Sequence, residues 1–309
     1  MVDIIPFNKV VLYGHKLYQG EFSQIYCGFY RAFTYLKFST YWYDDEDNLT
    51  DIDFTNTLFF SEGNVDSNIP IRNDCSYVLL NCDDSKYNTL PMINVLRLNI
   101  YTKDVPNKSN VQVLPQCPCI AYIISECKLY MPWATPLLPT EIKANMDELI
   151  NNPVQQFNQA CYIGTIKCNI LSVNKVARAC KENGIDHVCK NNNTVLEDSI
   201  NIIKQSKYPI NIVTQWENDN DYISQKVFEH ISCCGYSITN SQKTCEFLDH
   251  DICYDSDVSN LISVAIPYVQ NLTLFEKIKR MELIKDKHTY VSRIRTILKT
   301  LVKIRKYFA

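Results

Sequence analysis

Short apolar runs alternate along this chain with amphipathic segments of helical length, and each run ends in polar residues. The first run, Lys9 to Tyr13, closes on Gly14-His15. After a polar loop, Lys16 to Ser23, the segment FSQIYCGFYRAFTYLKF repeats Phe22, Ile25, Phe29, Phe33 and Leu36 at helical spacing, and TYWYDD follows as a second β run ending in Asp44-Asp45. Strand, helix, strand is the opening of a parallel α/β sheet. Further strands are expected at Thr57 to Ser61 before Glu62-Gly63, at Tyr77 to Leu80 before Asn81-Cys82-Asp83, at Val95 to Tyr101 and at Ile120 to Ser125. The polar residues always follow the run, so they collect on one edge of the sheet.

A chain of 309 residues is long enough for two domains of about 150 residues each. Residues 131–142 hold three prolines and no periodicity, and with the Asn-rich residues 145–158 they read as the crossing between domains 1–150 and 151–309. A second α/β unit then opens with the strand ACYIGTI, which carries Gly164-Thr165 at its end. Helices are expected over 172–184, closing on Gly184, and over 194–205, with a strand from Tyr208 to Thr214. After residue 240 the pattern is helical at 241–247, 257–268 and 274–307, the last stretch long, basic and amphipathic.

Charge and cysteine content narrow the function classes. A net charge of −3 argues against an electrostatic nucleic-acid binder, although six acids lie within 44–53 and eleven Lys or Arg within 277–306. The N-terminus has no basic region ahead of its apolar residues, and no window approaches a membrane span, so a cytoplasmic protein without a secretory signal or transmembrane segment is expected. The fourteen cysteines are scattered without a C-x-x-C pair and read as free thiols rather than a zinc site or a disulfide framework.

The stretch from Gln215 to Asn240 is the most informative. It runs from the end of a buried strand through an Asn/Asp loop into a helical segment, 224–232, a break at Gly235 and a short strand, 236–239. Such an order sets Lys226, Glu229, Thr239 and Asn240 at the carboxyl edge of a sheet, where open α/β sheets bind ligands. This stretch resembles the donor-binding segment of GT-B-type glycosyltransferases, especially a CgeB-like group. VLYGHKLYQGEFSQIYCGFYRAFTYLKFSTYWYDD, LFFSEGNVDSNIPIRNDCSYVLLNCDD and LYMPWATPLLP are similar to the N-terminal half of such enzymes encoded by large DNA viruses, and HTYVSRI (288–294) to the H-T-Y-x-x-R that ends the group.

The resemblance implies two Rossmann-like domains facing across a cleft, with a helical C-terminus. It also implies transfer of a sugar from a nucleotide-diphosphate donor to a glycan or glycoprotein acceptor. Negative charge grows on the leaving diphosphate, and a fixed cation or a helix N-terminus stabilises it without a metal or other cofactor. Lys226 is the expected cation, with Gly164-Thr165 offering backbone N–H groups. Glu229 suits the ribose hydroxyls, Thr239-Asn240 the sugar, and Gln215, Trp216 and Tyr222 the base or sugar. His15 is the expected base for the acceptor hydroxyl, with Glu62 or Asp44 as substitutes.

Structural readings compete with each assignment. Lys226 and Glu229 form an i,i+3 pair, Trp216 suits a core, and Glu62 a helix cap. Asp51-Ile52-Asp53 has the spacing of a metal-binding D-x-D, a weak signal on which no metal is assigned. Besides an enzyme, the chain suits a catalytically inactive nucleotide- or glycan-binding relative, or an adaptor working through its basic C-terminal helix.

Overall fold

The computed structural model of the chain describes residues 7–16, 21–62, 68–82, 85–101, 103, 121–123, 126–191 and 194–308. Two α/β units result, Met1–Pro132 with Tyr290–Ala309 and Trp133–Thr289. In the first, β1 (Lys9–Tyr13), α1 (Glu21–Tyr35) and β2 (Thr40–Tyr43) form the expected strand–helix–strand opening. After it come β3 (Thr57–Ser61), β4 (Ser76–Leu80), β5 (Val95–Asn99), β6 (Ala121–Ile123) and β7 (Lys128–Tyr130). Among the described residues the strand order is β2-β1-β3-β4-β5-β7-β6, parallel throughout except that β6 runs against β7. β3 and β4 are buried at every position, which is why their sequences are continuous apolar runs instead of alternating ones.

The second unit contains α2 (Pro139–Asn151), β8 (Phe157–Ile163), α3 (Ile166–Glu182), β9 (Asp186–Lys190), α4 (Leu196–Gln205) and β10 (Ser206–Asn211). It continues through α5 (Gln215–Asp219), α6 (Gln225–Cys234), β11 (Ile238–Thr239), α7 (Gln242–Phe247), β12 (Cys253–Tyr254), α8 (Leu261–Asn271) and α9 (Leu274–Lys287). Its sheet is parallel in the order β12-β11-β10-β8-β9 among the described residues. The chain then returns to the first unit as α10 (Tyr290–Phe308), which packs on α1 with Tyr290 against Phe29 at a centroid distance of 4.5 Å. The expected class, two Rossmann-like α/β units with a helical C-terminus, is what the chain forms.

Several details differ from the sequence reading. The division falls at Pro132/Trp133 and again at Thr289/Tyr290, not within 145–158. There α2 takes over, started by Pro139 and by Glu141, whose Oε2 accepts the Leu138 N–H at 2.7 Å. Its Asn-rich end stays helical because Ile142, Asn145 and Met146 are buried, with Asn145 Nδ2 donating to Ser232 O at 3.0 Å. α3 begins six residues before the expected start at 172, directly after Thr165. β7, β9 and β12 carry no sequence signal: they are short, and β9 is an edge strand whose residues are nowhere fully buried.

The single helix expected over 274–307 is two, parted at His288-Thr289. His288 ends α9 and stacks on Phe228 at 5.0 Å, and Thr289 bridges Thr135 within the second unit. In the first unit the buried Arg293 donates through Nε to the Pro132 carbonyl at 2.8 Å, holding the point where the chain leaves.

Candidate functional site

Each sheet winds outward from its first strand in both directions, β2 and β3 flanking β1, and β9 and β10 flanking β8. Crossovers leave opposite faces at such a pair, so their carboxyl ends part into a crevice, the usual ligand site of open sheets.

In the first unit that place holds His15, after β1, and Glu62, after β3, with Nε2 2.5 Å from Oε2. His15 adopts a left-handed backbone (φ 59°) and stacks on Phe22 at 5.1 Å, with Tyr26 tilted against it at the same distance. In the neutral tautomer that donates Nε2–H to this carboxylate, Nδ1 is the ring nitrogen left to accept. The loop is clamped from outside. Trp42 Nε1 donates to Gly14 O at 2.9 Å, and Lys16 N donates to Asp44 Oδ2 at 2.7 Å. Asp44 Oδ1 also accepts the Asp45 N–H at 2.9 Å, so Asp44, expected as a substitute base, spends both oxygens on backbone donors. It positions the loop. Tyr13 donates to Asp45 at 2.8 Å, and burial followed by that hydrogen bond pushes its hydroxyl up to about 12.

Asp51-Ile52-Asp53 lies before β3, at the amino edge of the sheet and away from His15 and Glu62. Asp53 Oδ1 accepts the Thr55 hydroxyl at 2.6 Å and its N–H at 2.9 Å, contacts that hold its carboxyl below the usual range. Lys9 bonds the Asp53 carbonyl. Among the described residues no three His, Cys, Asp or Glu side chains group as metal ligands.

In the second unit the crevice lies between the ends of β8 and β10. Gly164-Thr165 leads into α3, whose first turn has no acid and no side-chain cap. A Cβ on Gly164 would fall 2.5 Å from the Tyr162 hydroxyl, which itself accepts from Asn169 Nδ2 at 3.1 Å. Thr165 and Lys167 are exposed there. Lys167 carries no signal in the sequence because the apolar periodicity of this helix becomes readable only from 172 onward, whereas α3 begins at Ile166.

Beyond β10, Thr214 and Glu217 cap α5 reciprocally, Glu217 N to Thr214 Oγ1 at 3.1 Å and Thr214 N to Glu217 Oε2 at 2.6 Å. That box turns the expected polar loop into a short helix. It displays Trp216 at 59% exposure, so Trp216 is not core, while Tyr222 is buried. Gln215 bonds Asp219 through Nε2 at 2.8 Å. Asn240 grips Val213, accepting its N–H at 2.8 Å and donating to its carbonyl at 3.0 Å. Thr239 accepts from Asn211 Nδ2 and from the Ser241 N–H, each at 3.1 Å. These two residues join the strand ends, and Asn240 also lines a cavity of about 420 Å³ with Gln215, Asn218, Asp219, Tyr254 and Ser256. Tyr254 ends β12 and Ser256 follows it, a strand whose two residues gave no pattern to read.

Lys226 and Glu229, expected on the phosphate and the ribose, are one another's partners. Lys226 Nζ lies 2.9 Å from Glu229 Oε2, with Lys226 at 7% exposure and Glu229 at 0%. This is the i,i+3 alternative, realised inside the unit. Glu229 Oε1 has no hydrogen-bond partner among the described residues. Beside it, His230 Nδ1 meets Ser237 Oγ at 2.9 Å, and burial, then the Lys226 charge, depresses the imidazole to about 3.

The described cysteines are free, and burial raises Cys161, Cys180, Cys234 and Cys253 to about 12. No helix among the described residues is long and apolar enough to cross a membrane.

No family model and no curated protein matches the chain. Among solved structures it is similar to T4 phage BGT in complex with UDP and Mn2+, at 10% identity and a TM-score of 0.44, over 97% of this chain and 98% of that one. It is also similar to an ABC transporter solute-binding protein from Aeropyrum pernix K1, at 10% identity and a TM-score of 0.25, over 98% and 92%.

Proposed function

We propose that this protein is a glycosyltransferase that moves a sugar from a nucleotide-diphosphate donor to a hydroxyl of a glycan or protein-linked glycan. The observation that carries the reading is the His15–Glu62 pair at the crevice of the first sheet. An imidazole with one nitrogen oriented by a carboxylate and the other basic is a general base for a hydroxyl. In an inverting transfer the acceptor oxygen bonds to the anomeric carbon as the C–O bond to the β-phosphate breaks. The hydroxyl proton goes to His15 Nδ1, and Glu62 stabilises the imidazolium.

On the donor side, the diphosphate fits the N-terminus of α3 at Gly164-Thr165, where backbone N–H groups, the helix dipole and Lys167 all favour negative charge. The base or ribose fits the cavity lined by Gln215 and Asn240, with the exposed Trp216 following Gln215 on α5. Lys226 and Glu229 support that edge from within as a closed ion pair. The reading needs no metal.

The test is a thermal-shift screen of nucleoside diphosphates and their sugars, followed by a transfer and donor-hydrolysis assay on the best ligand. Stabilisation by one nucleotide series with turnover that His15→Ala abolishes supports the enzyme. Stabilisation without turnover supports instead an inactive nucleotide-binding relative, and no stabilisation by any of them overturns both.

A further inference from the structure

A second polar cavity, of about 180 Å³, lies in the first unit at the carboxyl ends of β4, β5 and β7. Its walls follow from strand register. Arg97 of β5 stands beside Lys128 of β7, and Asn99 beside Tyr130, so two cations are direct neighbours across a parallel pair. Like charges so placed repel, and the sheet tolerates them best with an anion between them. Arg97 Nη2 donates to the neutral Asn88 Oδ1 at 3.0 Å, and Lys128 lies 3.4 Å from Glu126.

The amides add a second, independent indication. Asn81 Oδ1 accepts the Ile100 N–H at 3.1 Å, and Asn99 Oδ1 accepts the Tyr101 N–H at 2.9 Å. With each carbonyl oxygen turned to the backbone, each NH2 group is left as a donor. Guanidinium, ammonium and two amide NH2 groups are donors, and the two cations among them favour an oxyanion, which they meet with charge-assisted hydrogen bonds, over a neutral polyol. Tyr101 and Tyr130 supply ring surface in the same cavity, whose volume suits one pyranose.

We infer that this cavity binds an anionic saccharide unit, a sugar bearing a carboxylate or a phosphate, as part of the acceptor; the acceptor role rests on the glycosyltransferase reading. Two strand positions separate β5 from β3, so the cavity and the Glu62 end of the dyad share one sheet edge about 10 Å apart, within reach of adjacent sugars of one chain.

Calorimetric titration of the full chain, without nucleotide donor, tests the binding. Glucose 6-phosphate and glucuronate are expected to bind at least about tenfold more tightly than glucose. Arg97→Gln and Lys128→Gln should each weaken the anionic sugars about tenfold or more, leave glucose unchanged and keep the melting temperature. Lys128 is partly exposed, so its variant folds even if the Arg97 variant does not. If phosphate sugars alone respond, the ligand is a phosphorylated unit; if carboxylate sugars alone do, it is a uronate-type unit. Equal binding of glucose, inorganic phosphate binding as tightly as glucose 6-phosphate, or silent variants would each overturn the inference. Because no donor is present, a chain that transfers no sugar from any nucleotide leaves this binding result standing.

Discussion

His15 Nε2 and Glu62 Oε2 meet at 2.5 Å across 47 residues of sequence. Register explains it. β1 and β3 are parallel neighbours with Leu12 beside Phe60, so the residues three and two positions further on leave the sheet side by side. Replacing the pair tests the proposed chemistry. His15→Ala should lower kcat roughly 10²–10⁴-fold, the usual worth of a positioned base, with an unchanged melting temperature. Glu62→Gln should lose less, since the imidazole itself stays in place and only the carboxylate that orients it and stabilises the imidazolium is lost. A wild-type kcat in His15→Ala removes His15 from the mechanism.

The Lys226–Glu229 pair makes a different prediction, about stability. Glu229→Ala leaves a buried ammonium without its carboxylate and should destabilise the chain by about 3–5 kcal/mol. Lys226→Met combined with Glu229→Leu removes both charges and should recover most of that loss. Denaturant unfolding of the three proteins decides. Donor KM in the double variant then separates structure from contact: an unchanged KM fits an internal pair, whereas a large rise returns Lys226 and Glu229 to the nucleotide sugar.

Acid should weaken the fold through His230. Its folded value of about 3 lies below the ordinary unfolded value near 6.5, so between these pH values the unfolded chain binds a proton that the native chain does not. Stability is therefore present above about 6.5 and falls with decreasing pH, at about 1.4 kcal/mol per unit for this group. His187, also depressed by burial, acts in the same direction. His230→Gln should show a shallower decline between pH 6.5 and 4 in urea titrations; an identical slope would mean that His230 is accessible to protons in the native state.

Two glycines separate backbone strain from crowding. Gly235 ends α6 at φ 84°, and a Cβ there would meet the backbone and Cβ of Lys277 in α9 at 2.5–2.8 Å. Gly184 has φ 66° with nothing within 4 Å. Gly184→Ala should cost about 1–2 kcal/mol, the left-handed penalty alone, and Gly235→Ala clearly more, because α9 must move. Equal losses in melting temperature would show that α9 yields freely.

Chelation tests the metal-independent reading. Treatment with EDTA should leave sugar transfer largely intact if, as proposed, the α3 N-terminus and Lys167 meet the diphosphate charge. Complete loss that manganese or magnesium restores would point to a metal held by carboxylates and overturn this part of the mechanism.

Periodicity and apolar runs determined the fold class from the sequence alone. Buried parallel strands such as TLFFS need apolar residues on both faces, and the helices between them need one apolar face, so the α/β alternation is written locally. Placement of His15 and Glu62 after strands was legible for the same reason. Their contact was not, because only strand order and register bring two loop residues 47 positions apart together. Short or edge strands such as β9 and β12 bury too little to need a pattern. In the stretch 215–240 the sequence offered Lys226 and Glu229 both as ligand contacts and as partners of each other, and spacing alone favoured neither. Tertiary packing sets them 2.9 Å apart: α6 is buried at every position, and there an ammonium and a carboxylate stabilise one another.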